Sequence, residues 1–239
     1  MEWGNFGAVH IGTLILAAAM ILGLYFALRK ASRRAQTAVL GVLSFSGIAA
    51  IIFNLVVWDA PLYYLPLHLC SINAMMLPFA VLTRNKTLGN LLLVWCLGAL
   101  AAIVLNYEMV SVEVFSWTFF FYYFPHVMEF GIPILLFRLG LVEKDHRCIG
   151  STMAITMLIY TAVHGINKLI NSQGWAEVNY MFSIEPTNPL VALFHKVIPY
   201  EYWYMYMVLP IVLVYLLAVY APQIIARKKR NKACLKAAV

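Results

Sequence analysis

Seven stretches of this chain are apolar over about twenty residues each, the length of helix that covers the roughly 30 Å hydrocarbon core of a bilayer. They run from Ala8 to Leu28, Ala38 to Trp58, Tyr64 to Leu82, Leu88 to Leu105, Trp117 to Phe137, Ile149 to Ile170 and Trp203 to Ala221. In hydrocarbon each backbone N–H and C=O must be paired within its own segment, so runs of this length fold as helices. The expectation is an all-α, polytopic membrane protein with seven transmembrane helices. No internal repeat divides the chain, and residues 1–239 read as one domain, with a lid-like loop at 171–202 and a basic tail at 227–239.

Composition agrees. Only 11% of the residues are charged and 63% are hydrophobic, against about 25% charged in an ordinary soluble domain. The net charge of +7 does not point to nucleic acid, because the cations lie in short clusters between apolar runs. The loops after spans one, three and five, together with the tail, hold 15 of the 17 lysines and arginines, leaving only Lys168 and Lys196 on the other side. By the positive-inside rule the N-terminus is outside and the C-terminus cytoplasmic, in a multi-pass protein of the cell membrane. The outer side carries Glu2, Asp59, Glu108, Glu113, Glu177, Glu185 and Glu201, and a belt of Trp3, Trp58, Tyr63, Tyr64, Trp117, Trp175 and Trp203, residues that favour the headgroup level. Met1 to Asn5 lacks the positive segment of a cleaved signal peptide, so the first helix reads as retained.

Two outer connections exceed a turn. Tyr107 to Ser116 is amphipathic and reads as interfacial. Asn171 to Tyr202 contains Asn188-Pro189, a cap followed by proline at the first helical position. The apolar residues that follow suit a short helix lying on the membrane, within a loop long enough to act as a lid.

Ionisable and polar side chains are costly in hydrocarbon and mark functional sites. Here they concentrate in the outer half: His10, Asn54, then His68, Cys70, Ser71 and Asn73 on the third span, His126 and Glu129 on the fifth, and His164, Asn167 and Lys168 on the sixth. They predict one polar cavity opening outward between spans three, five and six. His10, Asn54 and Ser71 read more simply as interhelical hydrogen-bonding groups, and Lys168 as a lysine reaching to the interface.

Pro66 fits a first helical turn, which puts Cys70 near a helix N-terminus, where the dipole favours a thiolate. His68 is two positions away, on nearly the opposite face, so a base for Cys70 must come from another helix, His126 or His164. Asn73 shares the face of Cys70 and could orient a base or bind an oxyanion. Glu129, three residues after His126, could fix its tautomer. Cys96 and Cys148 read as packing residues, and Cys234 lies in the tail.

The run Pro66-Leu67-His68-Leu69-Cys70 on the third of seven helices resembles the YwaF-type bacterial integral membrane proteins, as do His126, Asn167 and Asn179-Tyr180. Eukaryotic relatives of that group are transmembrane acyltransferases that remodel ether phospholipids through a cysteine of the corresponding motif. The resemblance implies Cys70 as acyl-carrying nucleophile and His126 as base. His126 follows Pro125, expected to open the helix at that level.

The leading expectation is a lipid acyltransferase, or lipid-ester hydrolase, working in the outer leaflet: Cys70, His126 and Glu129 catalytic, with His68, Asn73, His164 and Asn167 holding substrate. The partners implied are membrane lipids, a phospholipid or lysolipid substrate, and no nucleic acid. The alternative is an outward-facing small-molecule transporter or receptor with a histidine-lined pocket. A haem or metal protein using His68, His126 and His164 ranks third; the leading mechanism calls for neither cofactor nor metal.

Overall fold

The computed structural model describes residues 1–106 and 109–237, with side chains up to Ala226. Nine α-helices are found among the described residues: α1 (Ala8–Leu28), α2 (Arg33–Ser44), α3 (Ser46–Val57), α4 (Leu69–Thr83), α5 (Lys86–Leu105), α6 (Trp117–Arg138), α7 (Cys148–Ser172), α8 (Pro189–Val197) and α9 (Val208–Ala237). Short 3-10 turns at Tyr180–Phe182 and Trp203–Met207 complete them. Six stretches are long and apolar enough to cross a membrane: α1, α2 with α3, α5, α6, α7 and the segment Trp203–Ala226. The chain is a multi-pass, all-helical membrane protein.

The expected third span is shorter than the sequence suggests. Helix α4 has 15 residues, about 22 Å at the usual rise. Pro66 is not in its first turn: the Leu67 N–H closes a tight turn onto the Leu65 carbonyl at 2.7 Å. His68 is extended (φ −71°, ψ 151°) and occupies the cap position. The expected second span is broken at Phe45, where the Ser44 hydroxyl bonds back to the Gly41 carbonyl at 2.6 Å, a local bond that competes with the helical ladder.

Helix α6 is the hub, packing on α1 through α5. It stays helical through Pro125 and Pro133, so the expected opening beside His126 leaves the helix continuous. Small residues bring its neighbours close, as is common between membrane helices. A Cβ added to Gly131 would stand 2.7 Å from Ile21 of α1, and one added to Gly47 of α3 would stand 2.5 Å from Ala74 of α4.

The N-terminal strand of residues folds inward. Trp3 is not in an interfacial belt but buried, donating from Nε1 to Thr13 (2.8 Å) and ringed by His10, Phe119, Tyr122 and Tyr123. Its backbone is held by residues 110–114, with Trp3 N–H on Val112 O and Gly4 N–H on Val110 O, both at 2.8 Å. Of the connection read as interfacial, Tyr107 and Glu108 lie outside the described residues. His10 accepts from the Phe6 N–H at Nδ1, so Nε2 donates to Ile103 O at 2.7 Å.

At the opposite, basic end Asn90 is the staple. It donates to Lys86 O and Glu143 O, accepts from the Asp145 N–H, and receives the hydroxyl of Tyr220 from α9. The tail at 227–237 continues α9 as helix.

Candidate functional site

Cys70 is the second residue of α4 and half-buried, one turn before the fully buried Asn73. Asn73 looks across to α6, where its amide lies within electrostatic reach of the Glu129 carboxyl. No hydrogen bond of ordinary geometry is made by either polar atom of Asn73, or by Oε2 of Glu129. A third element closes on the same point, because a Cβ on Gly47 would sit 3.1 Å from Glu129 Oε1. Buried polar atoms are nearly always paired, and at this crossing the Asn73 amide and the Glu129 carboxyl are each other's polar neighbour.

That crossing fixes a register. Helix α5 returns the chain between α4 and α6, so the two run in the same direction. Cys70 is three residues before Asn73, and His126 three before Glu129. Each therefore stands about 4.5 Å nearer the N-terminal end of its helix, so Cys70 and His126 occupy corresponding positions along the two helices.

His126 is oriented by its own helix. Nδ1 lies 2.6 Å from the Tyr122 carbonyl, and because a carbonyl can only accept, Nδ1 carries the proton and Nε2 of the neutral ring is the basic nitrogen. The ring also packs on Tyr122, with centroids 4.4 Å apart, and Tyr122 leans on Trp3. Glu129 was expected behind His126, but no hydrogen bond or ion pair joins them among the described residues; the Tyr122 carbonyl takes the orienting role and the carboxyl turns to Asn73.

The other expected site residues serve the loop. Asn167 donates to Tyr180 O (2.9 Å) and Ser183 Oγ (2.8 Å) and accepts from the Tyr180 N–H. His164 meets Ser183 Oγ through Nδ1 at 3.0 Å, with Nε2 3.7 Å from Glu201. His68 accepts the Met181 N–H at 3.4 Å and packs against Tyr180 and Phe182. Lys168 pairs with Glu201 at 3.0 Å, both side chains being exposed. These bonds hold Met181 and Phe182 in left-handed backbone, φ 54° for both, a conformation that costs an L residue about 1 kcal/mol or more. The Ser183, His164 and Glu201 series looks like a hydrolase relay, but Ser183 is fully buried and its oxygen is shared with Asn167, so it acts as a clasp.

Sequence reasoning missed Ser183, Glu201 and Asn171, which brackets Val178 through both its N–H and its carbonyl. It found the loop helix: Asn188 caps α8 by accepting from the Val191 N–H, with Pro189 first. Among the described residues no three His, Cys, Asp or Glu side chains converge as they would around a metal ion.

The family model that matches this chain is described as the TMEM164 family, and it covers residues 5–220. The chain belongs to the TMEM164 family. The TMEM164 match takes in α1, α4 and α6 with all their polar residues, the clasped loop and α9 as far as Tyr220. No curated relative and no solved structure matches the chain. The YwaF-type likeness and its link to acyl transfer rest on the short motif ending at Cys70, not on the TMEM164 match.

Proposed function

We propose that this protein transfers acyl chains between membrane lipids through a thioester on Cys70. The observation that supports this reading is the register of α4 and α6 at Asn73 and Glu129, with Cys70 and His126 each three residues earlier on its helix and His126 Nδ1 committed to Tyr122 O. A nucleophile and a base from different helices, with the base oriented by a third group, is the general arrangement of covalent acyl transfer.

In the proposed reaction His126 Nε2 takes the Cys70 proton as sulfur attacks the ester carbonyl of a phospholipid. The tetrahedral intermediate collapses, the glycerol C–O bond breaks, and the leaving alkoxide receives that proton from His126. Lysophospholipid departs and a thioester stays. A hydroxyl of a second lysolipid, or of water, then gives its proton to Nε2, attacks the thioester and releases Cys70, which regains the proton. Asn73, three residues after Cys70, supplies an N–H for the oxyanion, its amide lying beside the Glu129 carboxyl. His68, His164 and Asn167 keep the loop closed, and its release admits the lipid headgroup. With the N-terminus outside, this chemistry faces the outer leaflet of the cell membrane.

Acyl exchange between defined phospholipids in liposomes tests the proposal. Cys70→Ala and His126→Ala are each expected to lose at least a hundredfold in rate while keeping the wild-type unfolding midpoint. Full exchange by folded Cys70→Ala would remove the mechanism.

A further inference from the structure

At the basic end, away from Cys70, two adjoining cavities of about 350 and 260 Å³ share Phe137 and Lys144 as walls. The deeper one runs between α6 and α9 over Leu93 of α5, and its walls are apolar at Ile134, Phe137 and Val219. Helix α9 is held off this surface by long polar side chains: Tyr215 donates to Leu93 O at 3.0 Å and Gln223 to Lys144 O at 2.7 Å. The result is a slot rather than a close helix contact.

The rim of the slot is cationic. Arg138 and Lys144 both line the deeper cavity, and neither forms an ion pair among the described residues. The neighbouring Asp145 is taken by Lys86 at 2.6 Å, and the exposed Glu143 lines only the outer cavity. Burial and the adjacent Arg138 guanidinium hold the Lys144 ammonium below the ordinary lysine range, the mark of a cation placed beside another without a counter-charge. Its backbone is fixed on three successive residues: Glu143 O receives Asn90, Lys144 O receives Gln223, and Asp145 N–H donates to Asn90. A cation held in place at that cost, at the mouth of an apolar slot that descends along membrane-spanning helices, matches a ligand with an anionic head and a hydrocarbon tail.

We propose that this slot is a binding site for an anionic phospholipid, its phosphodiester between Arg138 and Lys144 and one acyl chain along Phe137, Ile134 and Val219. The site is separate from the Cys70 level and does not depend on the acyl-transfer reading. Gln223 Oε1, buried without a partner at the outer cavity, can accept a hydrogen bond from a headgroup hydroxyl, which glycerol offers and choline does not.

Native mass spectrometry of the full chain tests this, titrating phosphatidylglycerol and phosphatidylcholine with the same acyl chains. Wild type is expected to hold phosphatidylglycerol roughly thirtyfold more tightly, the scale of two basic side chains acting on an anionic lipid. The double variant Arg138→Gln with Lys144→Gln should bring the two lipids to parity, while Arg138→Lys with Lys144→Arg keeps the preference. Val219→Trp, which fills the slot without touching charge, should weaken both lipids. Arg33→Gln with Arg34→Gln, on another basic loop, should change neither. A preference that survives loss of Arg138 and Lys144, or that falls equally with Arg33 and Arg34, would overturn the site. So would displacement of the lipid by millimolar inorganic phosphate, which would make this a free-anion site, or an undiminished affinity in Val219→Trp.

Discussion

Asn73 of α4 and Glu129 of α6 lie side by side in the middle of the bundle, buried and with polar atoms left unpaired, and Gly47 of α3 closes the gap against both helices. Cys70 and His126 each lie three residues before this crossing on their helices, so changes that push the helices apart should harm stability and, on the proposed mechanism, acyl transfer as well.

Gly47→Ala is the sharpest such change. Its Cβ would fall 2.5 Å from the Ala74 Cβ and 3.3 Å from the Ala74 Cα, which is backbone and cannot swing aside. A loss of about 2 kcal/mol is expected, in the range for overpacking a tight core. Gly12→Ala is the control, since nothing lies within 4 Å of its added Cβ, and it should be neutral or slightly stabilising. Unfolding in detergent micelles measures both.

The loop clasp gives a local expectation. Asn167→Ala removes the partners of the Tyr180 N–H and carbonyl and one partner of Ser183. Leaving buried backbone groups unpaired costs about 2 kcal/mol, or roughly thirtyfold in an opening equilibrium. Hydrogen exchange should accelerate by about that factor in residues 178–185 and stay unchanged in α5 and α6. Unchanged exchange in the loop would mean that it is held by something else.

The basic end should respond to acid. The Lys86 ammonium, at 2.6 Å, holds the Asp145 carboxyl below the usual carboxylate range. A group whose folded pKa is lowered contributes stability that is fully present above its unfolded value, near pH 4, and is lost as pH falls through the folded value. The melting midpoint of wild type should therefore drop more steeply below about pH 4 than that of Asp145→Asn, and the two curves should run parallel above about pH 5.

Much of the fold was legible because apolar length is a one-dimensional signal. The run Ala8 to Leu28 coincides with α1, and the Asn188-Pro189 pair marks the start of α8 where capping chemistry puts it. The third span was overestimated because Tyr64 to Leu67 is apolar yet irregular, and hydropathy does not distinguish a helix from a packed turn. Trp3 was assigned to the interface for the same reason: its burial depends on Thr13 and on residues 110–114, far away in sequence. At the candidate site the residue types on α4 and α6 were found by their cost in hydrocarbon, but their partners were not. Helical spacing suggested Glu129 for His126, whereas the ring bonds a carbonyl one turn back. The roles of His164 and Asn167 were hidden because their partners, Ser183 and the Tyr180 backbone, belong to a loop with no periodic pattern to read.

The most direct test of the central claim is to incubate the purified chain with a phospholipid of defined acyl chain in liposomes and map any hydroxylamine-labile acyl group by peptide mass spectrometry. The account predicts one acyl group on Cys70, absent from Cys70→Ala and formed far more slowly in His126→Ala. Acyl exchange that proceeds with no adduct on Cys70, or with the adduct on Cys96 or Cys148, would contradict it.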